Sequence, residues 1–306
     1  MKYLDFIDNS KISKICFGTW NLSPSTKKFA SPNTTSPSQS IDLLRFALDK
    51  GINFFDTADI YGEGIGEKII GKAFKNLRKD IIVITKSGVL NERNETNFSK
   101  KYIEKKIKNS LSNLNTDYLD GYQFHNITSE SNIDSSFNFL TKLKKKGKIR
   151  SIGFSSRDPM DAYKILKNYN FDFLQVGFSI FDQRLLYSKI LELKKKKKLI
   201  LLTRSPFNSG YLLKKKSNKA LIRPKLQSLI NHFVKKNKKD LHYKNYSLAE
   251  SALKFCISFP EISSIIIGMA TKLEITRNIN TMYDGLKLEQ DWKKKIIKVY
   301  KIFNGN

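Results

Sequence analysis

Eight short apolar segments, separated by amphipathic ones, recur along the whole chain. Each is rich in Ile, Val, Leu and Phe, as expected of strands that are buried on both faces of a parallel sheet. They cover residues 12–17, 52–55, 81–85, 118–124, 149–154, 173–177, 199–203 and 262–267. Because parallel strands need crossover connections, which are usually helical, this repetition predicts an α/β fold.

Helices are predicted between these strands. They cover residues 40–50, 67–77, 99–114, 133–146 and 247–258, and two more helices close the chain. Ser40 is a favourable cap for the first helix, and Gly51 is a favourable stop. Residues 2–11 can form a short hairpin around Asp8 and Asn9, while 23–38 and 214–241 are expected to be long loops after the first and seventh strands.

Eight such units within 306 residues favour a closed (β/α)8 barrel, the TIM-barrel architecture, as a single domain over residues 1–306. The competing doubly wound open sheet would carry a glycine-rich turn directly after its first strand. In this chain Gly18-Thr19-Trp20 occupies that place, with no further glycine nearby. We therefore predict the barrel.

The formal net charge of +28 raises the question of a polyanionic partner. Lys supplies 47 of the 56 basic residues and is dispersed along the whole sequence. Nucleic-acid binding requires basic residues clustered on one face with interleaved aromatics, which this pattern lacks. There is no apolar stretch of membrane-spanning length or of signal-peptide character, and both cysteines, Cys16 and Cys256, lie in apolar segments. We expect a cytoplasmic protein without nucleic-acid, membrane or metal partners.

Polar side chains follow three consecutive strands. Asp56, Lys86 and His125 stand at the C-terminal ends of strands two, three and four, and Tyr61 lies in the loop after Asp56. In a (β/α)8 barrel these ends share one rim, where active sites are built. Each residue also has a purely structural interpretation, since Lys86 could be solvated, Tyr61 packed and His125 a core histidine. A lysine at a buried strand end, however, needs an anionic partner, and Asp56 can supply it.

Together the four side chains suggest an acid–base site. A free phenol has a pKa of about 10, and a neighbouring ammonium is expected to lower that pKa toward neutrality. Tyr61 would then donate a proton to a carbonyl oxygen, Asp56 would hold Lys86 charged and in place, and His125 would orient the carbonyl. Because no side chain delivers hydride, a nicotinamide cofactor is implied.

The sequence resembles the aldo-keto reductases along nearly its whole length. The motifs that carry this resemblance are GINFFDTADIYG at 51–62, ITKS at 84–87, DGYQFH at 120–125, GKIRSIGFS at 147–155 and RSPFNSG at 204–210. All four catalytic positions of that family are filled, by Asp56, Tyr61, Lys86 and His125.

The resemblance also implies where a nicotinamide cofactor, NADP(H) more than NAD(H), would bind. Residues 204–212 would wrap the pyrophosphate, and residues 268–278 would hold the adenosine phosphate. The implied contacts are Gly18, Thr19, Trp20, Asp56, Ser155, Ser156, Gln175, Arg204, Ser205, Pro206, Gly210, Leu212, Gly268, Thr271, Lys272, Glu274 and Asn278.

Four positions depart from the family pattern. Ser156 stands where Asn is usual, and Arg204 replaces a common Tyr, although its planar guanidinium can still lie against a ring. Ala270 occupies a place that often carries Arg or Lys for the 2′-phosphate, so Thr271, Lys272 or Arg277 would have to substitute. Gly66 replaces a Ser, which is expected to change only a helix cap.

These observations predict an NAD(P)H-dependent oxidoreductase that reduces an aldehyde or ketone, including a sugar, or oxidises the alcohol. The alternative is a cofactor-binding auxiliary or regulatory barrel with little turnover, but an intact set of four catalytic positions argues against it. Trp20, Phe178 and the segments 23–38 and 214–246 are expected to surround the substrate pocket. The sequence leaves the substrate, the direction of reaction and the oligomeric state open.

Overall fold

The structure, a computed structural model, describes residues 2–31, 35–208, 210, 212, 224–286 and 288–303. Eight parallel strands close into a barrel in the order β10-β3-β4-β5-β6-β7-β8-β9, which confirms the (β/α)8 prediction. The barrel strands are β3 Ile15–Gly18, β4 Phe54–Asp56, β5 Ile82–Ser87, β6 Gly121–Phe124, β7 Ile152–Ser155, β8 Phe173–Gly177, β9 Ile200–Arg204 and β10 Ser264–Gly268.

Helices surround the barrel. They are α1 Pro37–Asp49, α2 Ile65–Ala73, α3 Lys100–Leu114, α4 Asp134–Lys145, α5 Pro159–Asn168, α6 Ile190–Lys196, α7 Pro224–Lys236, α8 Lys238–Leu241, α9 Leu248–Ile257, α10 Lys272–Tyr283 and α11 Gln290–Phe303. In the described part of the chain, none of these helices is both long enough and apolar enough to cross a bilayer.

An antiparallel hairpin, β1 Tyr3–Asp5 and β2 Lys11–Ser13, closes the N-terminal end of the barrel. Its turn contains Asp8 and Asn9, as the sequence predicted, and both residues adopt positive φ. The expected first strand at 12–17 is divided at Lys14 into β2 and β3. Ser13 exchanges hydrogen bonds with Asn53 and belongs to the hairpin, and the barrel strand begins only at Ile15. Phe6, in the turn, packs on the rings of Phe54 and Phe173 and fills the N-terminal end of the barrel lumen.

Three further expectations about local structure are wrong. Ser36, not Ser40, caps α1, because Ser36 forms a full capping box with Gln39. The segment 214–241 is not a loop throughout, since α7 and α8 occupy its second half and residues 214–223 lie outside the described residues. Gly66 lies within α2, where a Cβ would meet Ser23 Oγ at 2.5 Å, so the residue provides space and does not act as a cap.

Side chains along each strand alternate between the barrel lumen and the surrounding helices. In β4, Phe54 packs in the lumen with Cys16, whereas Phe55 packs outward under the helices. Gly153 is needed in this lumen, because a Cβ there would lie 2.4 Å from the ring of Phe173. This alternation decides which side chains at the C-terminal rim point into the barrel mouth.

Candidate active site

The inward-facing register brings the predicted rim residues together. The strand pairings align Gly18 with Asp56, Lys86 with Gln123, and Ser155 with Gln175. Side chains on one face of a strand are two positions apart. Counted in this way along the strands and across their paired positions, all six residues fall on the same face as the lumen residues of the barrel. The strand-end positions chosen from the sequence thus converge on one mouth.

Lys86 and Asp56 form a buried ion pair at this mouth. The Lys86 Nζ donates to both Asp56 carboxylate oxygens, at 2.9 and 2.8 Å, and to the Thr57 carbonyl at 2.8 Å. Gln123 Nε2 donates to the same carboxylate at 3.2 Å. Burial alone would lower the pKa of Lys86, but the attraction of Asp56, assisted by Tyr61, outweighs burial and raises it. The lysine is therefore held in its charged form.

Tyr61 reaches the ion pair from the turn after β4. Its amide donates to the Ala58 carbonyl at 3.1 Å, and Gly62 and Gly64 follow at φ of 59° and 94°. The Lys86 Nζ lies 4.9 Å from the centroid of the phenol ring, and the electrostatic attraction between the two groups acts on the pKa of both.

The prediction that Lys86 lowers the pKa of Tyr61 below its ordinary value is wrong for this structure. Burial of the phenol raises its pKa, and the opposing attraction of Lys86 only reduces that rise. The desolvation of the phenolate outweighs one ammonium whose charge is already shared with Asp56. Tyr61 is accordingly protonated at neutral pH.

His125 stands against Tyr61, with ring centroids 6.2 Å apart and planes at 87°. Its backbone amide donates to the Ser87 carbonyl at 2.9 Å, and its buried Nδ1 meets no hydrogen-bond partner within the described ranges. Burial lowers the pKa of His125 well below its usual value, and the cations of Lys86, Arg204 and Arg157 lower it further. The imidazole is therefore neutral at pH 7.

The side chains expected to hold the carboxamide differ in their availability. Ser155 Oγ accepts from the Asn126 amide at 2.9 Å, and Ser156 Oγ donates to the Asp158 carbonyl at 3.1 Å. Gln175 is buried, and its Oε1 has no hydrogen-bond partner in the described part of the chain. A buried carbonyl oxygen without a donor fits an amide ligand, so Gln175 is the residue best suited to a nicotinamide.

The first loop contributes an aromatic wall that the sequence identified only in part. Trp20 donates its indole N–H to the Ala30 carbonyl at 3.0 Å and packs on Phe29, whose ring lies 6.3 Å from that of Tyr61. Thr19 Oγ1 donates to the Asp56 carbonyl at 3.1 Å. Phe178 does not line the pocket as expected, because it is buried in the outer core. Phe29 was missed, since nothing in its polar loop indicated which residue turns inward.

The segment after β9 forms tight turns around Pro206, which is buried. Ser205 and Gly210 adopt φ of 64° and 83°, and the amides of Gly210 and Leu212 donate to the Phe207 carbonyl at 3.1 and 3.4 Å. Asn208 Nδ2 is buried and has no hydrogen-bond partner among the residues that the structure describes. Turns of this kind with a free donor suit phosphate oxygens, as expected for the pyrophosphate.

A cavity of about 480 Å³ continues from this segment to the start of α10. Its lining includes three of the predicted adenosine contacts, Gly268, Glu274 and Asn278. The other lining residues are Phe207, Ser247, Ala249, Glu250 and Arg277. Thr271 caps α10 by accepting from the Glu274 amide at 3.1 Å. Lys272 is absent from this lining, since its ammonium lies over the Phe46 ring of α1, 5.3 Å from the centroid. Of the three expected substitutes for Ala270, Arg277 is the one that reaches the cavity.

The barrel with this site is that of an oxidoreductase, and the comparisons agree. The model of the aldo/keto reductase family matches residues 14–299, and the chain belongs to that family. It is 32% identical to the uncharacterized oxidoreductase YqkF of Bacillus subtilis over 252 residues, which are 79% of this chain and 81% of YqkF. It is 29% identical to L-galactose dehydrogenase of Arabidopsis thaliana over 304 residues, covering 92% and 88% of the two chains.

A solved structure shows the same architecture. The holo form of the aldo-keto reductase AKR11C1 from Bacillus halodurans superposes with a TM-score of 0.80, at 26% identity, over 98% of this chain and 96% of that one. The predicted family and barrel are thereby confirmed.

Proposed function

We propose that the protein reduces the carbonyl group of a small aldehyde or ketone, or oxidises the corresponding alcohol, with a nicotinamide cofactor. The observation that carries this proposal is the contact of Tyr61 with a buried, carboxylate-held ammonium beside a neutral imidazole. The cofactor, when bound, supplies the hydride. The remaining chemistry is the transfer of one proton, and these side chains are suited to it.

Tyr61 is the proposed proton donor. It keeps its proton until negative charge develops on the carbonyl oxygen, because burial raises its pKa. Lys86 then stabilises the phenolate that remains, and Asp56 prevents Lys86 from losing its charge or its place. The neutral His125 has one N–H to donate, which orients the carbonyl oxygen toward Tyr61.

We propose that the cofactor lies from Gln175 to the cavity beside α10. Gln175 Oε1, which has no partner among the described residues, would accept from the carboxamide, the turns at Ser205 and Gly210 would hold the pyrophosphate, and Asn278 would contact the adenosine. Arg277, exposed at the cavity, is the proposed partner of a 2′-phosphate. This residue supports the expectation that NADP(H) is preferred to NAD(H).

Coenzyme preference can be measured with Arg277→Gln. We expect this variant to weaken NADPH binding about tenfold or more and to leave NADH binding nearly unchanged, because only NADPH carries the phosphate. Lys272→Gln, which removes a cation at Phe46, is the matched control and should alter neither affinity. Equal losses for both nucleotides would contradict the assignment of Arg277.

Tyr61→Phe tests the catalytic proposal. The variant should lose at least about a hundredfold in kcat for carbonyl reduction, the usual contribution of a positioned acid. Its affinity for NADPH should stay within about twofold, since the hydroxyl is not among the proposed cofactor contacts. The measurements are the oxidation of NADPH with a panel of small aldehydes, and calorimetric titration. Undiminished turnover would show that another group donates the proton.

The same panel decides between an enzyme and an auxiliary cofactor-binding barrel, since the latter would bind NADPH but turn over none of the substrates. We also retain the expectation of a cytoplasmic protein, which is supported by two buried, unpaired thiols, Cys16 and Cys256.

A further inference from the structure

Arg204 reaches across the barrel mouth above the proposed carboxamide site. It is the last residue of β9, two positions beyond Leu202, which pairs with Gln175. The two side chains therefore share the lumen face, with Arg204 nearer the rim. Its Nη2 donates to the Ser156 carbonyl at 3.4 Å, so the guanidinium spans from β9 toward the loop after β7. A ring whose carboxamide is held by Gln175 would lie in the field of this cation.

The charge of Arg204 is not balanced within the site. Lys86 and Asp56 neutralise each other, while Tyr61 and His125 are both uncharged at neutral pH. Arg204 forms no ion pair in the part of the chain that the structure describes, and the carboxylate of Asp182 is held by Arg184 at 2.8 and 2.9 Å. An arginine keeps its proton even where burial lowers its pKa. Arg204 therefore adds to the mouth a positive charge that no ion pair among the described residues offsets.

The oxidised nicotinamide ring is a cation, whereas the reduced ring is neutral. We propose that Arg204 makes the site bind the reduced cofactor more tightly than the oxidised one. This inference rests on the proposed function. The repulsion acts on the oxidised ring alone, and it is strong because the groups are partly removed from water. An aromatic side chain at this position would act in the opposite direction, since a π-face attracts a cation.

This preference for the reduced cofactor would affect which nucleotide occupies the site. The protein would take up NADPH in preference to NADP⁺ from a mixed pool and would release NADP⁺ readily after reduction. Contacts with the pyrophosphate and adenosine are common to both forms and cannot produce such a difference. The selectivity must therefore come from the nicotinamide end, where Arg204 shares the lumen face with Gln175.

The experiment is calorimetric titration of the full-length protein with NADPH and NADP⁺ separately, repeated with NADH and NAD⁺. The wild type should bind the reduced form about tenfold or more tightly than the oxidised form in at least the preferred pair. Arg204→Gln should reduce that ratio about tenfold, mainly by strengthening the binding of the oxidised form. Arg204→Lys, which retains the charge, should keep the ratio near that of the wild type.

Arg277→Gln is the matched control for loss of a cation elsewhere in the cleft. It should weaken NADPH and NADP⁺ by the same factor and leave their ratio unchanged. The inference is overturned if Arg204→Gln keeps the wild-type ratio, or if Arg204→Lys loses it as completely as Arg204→Gln does. If the wild type binds all four nucleotides without regard to oxidation state, only this inference fails. If it binds none of them, the proposed function fails as well.

Discussion

The buried pair of Lys86 and Asp56 allows a quantitative test by a double-mutant cycle. Lys86 is 2% exposed and Asp56 is 3% exposed, and the ammonium makes all three of its hydrogen bonds inside the protein. Removal of one partner leaves a desolvated charge with no counterion. We expect Asp56→Asn and Lys86→Met each to lower the free energy of unfolding by about 3–5 kcal/mol.

The double variant should cost little more than either single variant, because the second substitution removes the charge that the first left unpaired. The interaction energy of the cycle is then at least about 2 kcal/mol. Urea unfolding followed by circular dichroism measures it for all four proteins. The exposed pair Lys108 and Glu104 on α3 is the control cycle, with an expected interaction of about 0.5 kcal/mol or less. Additive losses for Lys86 and Asp56, or an interaction as small as that of the control, would refute the reasoning.

Two further predictions concern stability. Asp59 is buried beside Lys106, with an ion-pair distance of 2.8 Å, and burial raises its pKa from 3.8 to about 6 despite that partner. Its contribution to stability is therefore greatest below pH 4 and is lost as the pH rises through about 6, so Asp59→Asn should gain up to about 3 kcal/mol relative to the wild type between pH 4 and pH 8. Urea unfolding at the two pH values measures this, and a pH-independent difference would contradict it. Gly153→Ala should lower the free energy of unfolding by about 1–3 kcal/mol, because the new Cβ would lie 2.4 Å from the Phe173 ring. Adding Phe173→Leu should recover part of that loss, and no recovery would place the strain elsewhere.

The alternation of strands and helices in the sequence predicted the barrel, because buried parallel strands with helical crossovers are compatible with few other folds. The alternation predicted the ends of helices and strands less reliably. Ser36 and Ser40 are both acceptable caps by residue type, and only the backbone geometry at Ser36 allows the reciprocal bonds with Gln39. Lys86 was predicted to follow its strand but lies within β5, because it pairs with Gln123 across to β6. The helices α5 and α6 were not named from the sequence, although both follow the barrel repeat.

In the candidate site, residue type and position predicted the convergence of Asp56, Tyr61, Lys86 and His125. They did not predict the protonation behaviour of Tyr61, since the cost of burying a phenolate depends on every group packed around it. Phe29 was likewise beyond sequence reasoning, because a loop does not reveal which residue turns inward. The sequence named Arg277 together with Thr271 and Lys272, and only the structure selected Arg277 among the three. Phe178 and Lys272 show the converse, as plausible residues that point elsewhere.

The sequence by itself determined the family, the eightfold repeat and the strand ends at which chemistry can occur. These follow from local patterns: apolar segments, caps, and polar residues at the ends of buried strands. Only the tertiary structure decided which charges cancel and which remain. Lys86 is neutralised by a carboxylate thirty residues away in the chain, whereas Arg204, which is also a cation, forms no ion pair in the described part of the molecule. Electrostatic balance depends on distance and burial in space, and a linear sequence contains neither.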